Sequence, residues 1–133
     1  TVSWYENSPL HDIIKQVAEK KAKLIITTDH GTIRVTEPTK IVGDKNVTSN
    51  LRYKSGKSLG GFDKRDVFEV KNPQDAFLPK QNVSTSYVFA RQDLFFAYPN
   101  NYKHYVTYYR NTFQHGGISL EEMLIPYIVL TAK

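Results

Sequence analysis

The segment Thr27-Thr28-Asp29-His30-Gly31 sets a carboxylate beside an imidazole, directly after an apolar, β-branched run from Lys23 to Thr28. Carboxylate oxygen and neutral imidazole nitrogen are both ordinary zinc ligands. Neighbours along a strand point to opposite faces, so Asp29 and His30 can reach one ion only where the strand has ended and the backbone bends. Gly31 permits that bend. The plain alternative is a capping Asp and a surface His at a strand-to-loop turn, which the tripeptide alone does not outweigh. A further histidine, His115, stands in Phe113-Gln114-His115-Gly116-Gly117-Ile118-Ser119-Leu120-Glu121-Glu122. There two glycines let the backbone pass close to a ligand and lead into a helix whose Ser119 and Glu122 have capping-box spacing. Its alternative is a loop histidine before a capped helix. The chain has no cysteine, which excludes disulfides and thiolate sites and leaves histidine, carboxylate or hydroxyl to hold any metal. Arg34, Arg52 and Lys54 could clamp a phosphate, or be solvated charges on a surface excursion. His11 is expected on an exposed helix face and His104 among tyrosines in the core or at the surface.

The elements that must position these groups read as α/β. Leu10, Ile13, Ile14, Val17 and Ala18 recur at helical spacing over Pro9 to Lys21, after Ser8 as N-cap. The run from Lys23 suits a strand buried on both faces, and sites in open α/β sheets assemble at carboxyl ends of strands. From Thr36 to Gly61 the chain is rich in Pro, Thr, Asn, Lys and Gly, which predicts a long excursion after the first strand. Strands are expected at Val67 to Val70, Ser86 to Ala90 and Leu94 to Tyr98, the last two as a hairpin. Asn101 to Thr112 fits helix or strand about equally. A short helix over Ser119 to Leu124 and a strand over Tyr127 to Thr131 close the chain.

With 133 residues, 40% of them hydrophobic, one unit with a real core is expected. The formal charge of +5 favours an anionic partner. The cations are scattered and no recognition-helix pattern appears, so duplex DNA is not the expected ligand. No apolar run approaches a membrane span and no signal core opens the chain, which fits a cytoplasmic setting and no membrane partner.

Taken together, Thr-Thr-Asp-His-Gly and the distal His-Gly-Gly-Ile-Ser-Leu-Glu-Glu followed by Ile125-Pro126 resemble the C-terminal part of PglZ domains, members of the alkaline phosphatase superfamily. The resemblance runs from about Ser3-Trp4 to Pro126. Asn50-Leu51-Arg52-Tyr53-Lys54 and Tyr98-Pro99-Asn100-Asn101-Tyr102 further resemble response regulators of PorX type, in which a PglZ domain follows a receiver domain. The resemblance implies the C-terminal portion of an alkaline phosphatase-like fold, a mixed sheet with flanking helices. It also implies two zinc ions, one held by Asp29 and His30 and the other partly by His115. The expected substrate is a phosphoester, a nucleotide or oligonucleotide among the candidates, and the expected partners are the parent's receiver domain and a sensor kinase. The family's nucleophilic Thr or Ser and its Asp-x-x-x-His pair have no counterpart here, so the chain reads as a fragment, inactive alone, that lacks its N-terminal half, the alternative being a degenerate family member. The rival reading is a signalling or interaction module that keeps the fold without catalysis.

Overall fold

A computed structural model describes residues 1–44 and 47–132. Lys45 and Asn46, within the expected excursion, and the terminal Lys133 lie outside the described residues. The chain divides into two compact units, residues 1–29 with 125–133 and residues 30–124.

The first unit contains α1 (Val2–Glu6), α2 (Pro9–Glu19), β1 (Lys23–Thr27) and, from the far end of the sequence, β9 (Tyr127–Thr131). Pro9 opens α2, where a missing amide costs nothing, while the Ser8 hydroxyl donates back to the Tyr5 carbonyl at 2.9 Å instead of capping. β1 and β9 run antiparallel, with Leu24 opposite Leu130 and Ile26 opposite Ile128. The expectation of a strand buried on both faces fails: Leu24 and Ile26 are half-buried, whereas Ile25 is 49% exposed. The reason is that β9 is the one strand paired with β1 among the described residues, and every residue of β9 is exposed. No described helix is long and apolar enough to cross a membrane.

The second unit holds the core. Its strands are β2 (Ile33–Arg34), β3 (Glu37–Lys40), β4 (Tyr53–Gly56), β5 (Val67–Val70), β6 (Ser86–Ala90), β7 (Leu94–Ala97) and β8 (Phe113–Gln114), with helices α3 (Tyr102–Tyr109) and α4 (Leu120–Met123). β4, β6 and β5 form an antiparallel sheet with β6 central; β3 pairs with β7 in parallel, and β2 with β8 antiparallel. The whole is mixed α/β, with small sheets and flanking helices. The expected β6–β7 hairpin does not form, because β4 and β5 occupy both edges of β6 and the chain crosses at Gln92, φ +46°, to pair with β3. The expected excursion is partly core: Ile41, Arg52 and Lys54 are fully buried within it. Ile41, Val67, Val88, Ala90 and Phe96 make one apolar cluster; Val35, Phe95 and Ala97 make another, against Leu51, Tyr102, Val106 and Tyr109. Each large side chain among them stabilises the fold by about 1.5–3 kcal/mol relative to exposure.

Candidate functional site

Asp29 belongs to the first unit and is described there alone: β1 stops at Thr27, and Asp29 lies exposed in the bend that follows. His30, Arg34, Arg52, Lys54 and His115 belong to the second unit.

In that unit, Ile33 stands opposite Gln114 in the antiparallel β2–β8 ladder, and the two histidines lie beyond that one end of it. Their rings are stacked, with centroids 3.7 Å apart and planes 8° from parallel. The loop contacts explain this placement. The Gly31 amide donates to the Glu122 carbonyl at 2.9 Å, which draws the His30 loop onto α4. A Cβ on Gly31 would sit 1.9 Å from the Glu121 carbonyl oxygen, so this approach requires glycine. On the other side, the Asn50 side-chain amide donates to the His115 carbonyl at 3.1 Å, and the Gly117 amide donates to Glu122 Oε1 at 2.8 Å. Gly116 has φ +98°, a conformation that favours glycine. Glu122 therefore holds the His30 loop through its backbone and the His115 loop through its carboxylate.

Glu122 is in turn fixed by a buried ion pair. Arg52 Nε donates to Oε1 at 3.0 Å and its terminal nitrogen to Oε2 at 2.9 Å, with both side chains essentially without solvent contact. The other terminal nitrogen of Arg52 donates to the Leu94 carbonyl. Burial alone pushes the Glu122 carboxyl up; the Arg52 and Gly117 hydrogen bonds, the Arg52 charge and the Ser119 side chain outweigh it and hold the carboxyl below its ordinary value. The structure therefore does not place Arg52 as a phosphate clamp, since its charge is paired with Glu122 and its side chain has no solvent contact. The reading of Glu122 as a helix-start residue holds, because its carboxylate accepts from the Ser119 amide at 3.2 Å. Its larger role, as counter-ion to Arg52 and tie between two loops, was missed. Asn50 was missed too: its Oδ1 accepts from the amides of Arg52 and Tyr53 while its amide holds His115.

Lys54 is also buried, against the expectation of a solvated or phosphate-bound cation. Its Nζ donates to the Thr48 carbonyl at 2.8 Å and lies 4.7 Å from the centre of the Tyr98 ring. Burial pulls its ammonium down to about 8. Arg34 is exposed on β2, opposite Phe113, and is the one of the three expected phosphate groups that faces solvent. His11 is half-buried against Tyr5, and His104 is exposed beside Tyr105 and Tyr108.

The stacked pair has a definite coordination chemistry. Imidazole lone pairs lie in the ring plane, and an ion midway between near-parallel rings whose centroids are 3.7 Å apart would stand up to about 1.8 Å out of each plane. That displacement is nearly the whole Zn–N bond of about 2.0–2.1 Å. The rings cannot share one ion, but each could address its own. His30 Nδ1 lies 2.8 Å from the Gly31 carbonyl oxygen, so it carries the proton and Nε2 the lone pair.

Residues 6–130 match the family described as the BREX system PglZ alkaline phosphatase-like domain. The chain belongs to the PglZ family. No curated protein matches it. The PglZ assignment brings a phosphoesterase-type, alkaline phosphatase-like fold. Among the described residues of this PglZ domain, no group of three or more His, Cys, Asp or Glu side chains could hold a metal ion. The two histidines supply one donor each, and a filled site needs further ligands.

Proposed function

We propose that this PglZ domain is the C-terminal part of a metal-dependent phosphoester hydrolase in which His30 and His115 serve two different zinc ions. The observation that carries the reading is the parallel stack of the two imidazoles, whose spacing suits ions about 3.5–4 Å apart, as in two-metal phosphoryl-transfer sites. Asp29, the residue before His30 in the chain, is the carboxylate assigned to the ion of His30 by the family resemblance. When bound, such ions supply Lewis-acid stabilisation of the attacking and leaving oxygens. This chain's own contribution is to fix two ligand-bearing loops on α4 through Glu122 and to set the His30 tautomer through Gly31. The nucleophile and the remaining ligands come from elsewhere in the parent, and Arg34 is the cation nearest in sequence able to meet a substrate phosphate. The substrate in this reading is a phosphate ester, with nucleotides and oligonucleotides the classes to assay first.

A cytoplasmic response-regulator parent, with a receiver domain addressed by a sensor kinase, is part of the same reading and rests on residues 50–54 and 98–102. Arg52 and Lys54 in the first stretch are buried and Tyr98 in the second covers Lys54, so that likeness concerns packing. The test is zinc content of the parent protein by mass spectrometry, with alanine at Asp29, His30 or His115. Each variant is expected to lose zinc and phosphodiesterase activity together. Unchanged zinc in all three removes the proposal and favours a non-catalytic signalling module.

A further inference from the structure

A cleft of about 210 Å³ opens beside Lys54, walled by Leu51, Phe96, Tyr98, Tyr105 and Tyr109. The walls are mainly apolar or aromatic, with Ser49 at the edge of the lining, and Lys54 is the one cation among the described lining residues. A buried ammonium ordinarily has a carboxylate partner, because an uncompensated charge costs several kcal/mol away from water. None is present among the described residues: the described ion pairs involve Arg52, Arg65 and Arg110. Lys54 keeps one hydrogen bond, to a neutral carbonyl, and one ring contact, so three donors are served by a single full acceptor.

We infer that this cleft binds a small flat carboxylate, its charged head on Lys54 and its ring against the tyrosines. Three features choose that class. A single ammonium balances one negative charge, so a dianionic phosphate ester would leave the second unbalanced between apolar walls. The volume is below the roughly 300–1,000 Å³ of pockets that take drug-sized ligands, which admits one ring with its carboxylate but not a nucleotide. The tyrosine walls offer stacking faces to a ring. Lys54 is fully covered, so the ligand must displace a wall; the half-buried Tyr98, whose ring lies 4.7 Å from Nζ, is the wall over it, and Tyr105, 37% exposed on α3, is the most exposed of the lining tyrosines. The inference is independent of the metal reading, since neither histidine lines the cleft.

Calorimetric titration with benzoate, in a chelator and at pH 7, tests it. Benzoate is expected to bind in the millimolar range, with benzyl alcohol and benzylamine at least about tenfold weaker, the worth of one charge-assisted hydrogen bond. Lys54→Met should lose the preference for benzoate while staying folded, because it removes a buried charge and keeps the apolar stem. Tyr105→Ala, at the exposed wall, should weaken benzoate and the alcohol alike. The groups that meet Nζ among the described residues are the Thr48 carbonyl and the face of the Tyr98 ring, neither of them a carboxylate, so benzoate binding should decline as pH rises through about 8. Equal binding of benzoate and benzyl alcohol, undiminished benzoate binding by folded Lys54→Met, or no benzoate binding by the wild-type chain would each overturn the inference.

Discussion

Replacing Glu122 by Gln isolates the interaction on which the paired loops depend. The substitution keeps shape but removes the charge facing Arg52, whose side chain has no solvent contact. Gln also offers one acceptor oxygen where the carboxylate offers two, and turns an amide toward the guanidinium. In the native fold those two oxygens accept from two Arg52 nitrogens and from the amides of Gly117 and Ser119. Breaking a buried pair by removing one partner costs about 3–5 kcal/mol, a large share of the roughly 5–15 kcal/mol of an ordinary domain. Urea unfolding at pH 7 should show the midpoint falling by about 1–3 M at unchanged slope. Arg52→Met alone should also destabilise, but Arg52→Met/Glu122→Gln should lie well above the sum of the singles, because the double variant leaves no orphaned charge. Exchange of the Gly117 amide should accelerate in Glu122→Gln more than the global change requires. The carboxyl is held below its ordinary value, so the pair's stabilisation is complete above about pH 4.5 and is lost as pH falls through the lowered value. A loss under about 1 kcal/mol, or strict additivity in the double variant, would refute the reasoning that Arg52 and Glu122 act as one buried unit.

Further outcomes follow from neighbouring contacts. Gly31→Ala places a methyl where the Glu121 carbonyl oxygen stands 1.9 Å away, so a loss of about 1–3 kcal/mol is expected in urea unfolding, with the ring-stacking shifts of His30 and His115 abolished in NMR spectra. Phe96→Ala empties a 1% exposed position in the Ile41–Val67–Val88 cluster and should cost about 3–5 kcal/mol by the same assay. Lys54 is charged more readily unfolded than folded, so wild-type stability should rise with pH between about 8 and 10.5 relative to Lys54→Met, measured as the difference of their urea midpoints.

What the sequence disclosed, and what it concealed, divides along the range of the interactions. Val67–Val70, Ser86–Ala90 and Tyr127–Thr131 form strands where β-formers lie between turn signals, because backbone preference there is local. The expected hairpin failed because a three-residue link allows a hairpin but does not oblige one; the decision lay with β4 and β5, which had already taken both edges of β6. The polar stretch Glu37–Lys40 gave no sign of being a core strand, since its order comes from parallel pairing with the apolar β7. His30 and His115 were found by their glycine neighbours, and those glycines have structural work: Gly31 admits the Glu121 carbonyl, and Gly116 takes positive φ. Arg52 and Glu122 were invisible as a pair, being 70 residues apart along the chain, and charged residues read one at a time look like surface. That error has a physical lesson for the site. Positive charge near a phosphoesterase-type motif suggests a substrate clamp, but a guanidinium that is closed to solvent and already charge-balanced by a carboxylate is not placed to receive an anion. The same test, applied to Lys54, gives the opposite answer: its ammonium is equally buried, yet among the described residues no carboxylate is paired with it, and its cleft is the place where an anion has something to gain.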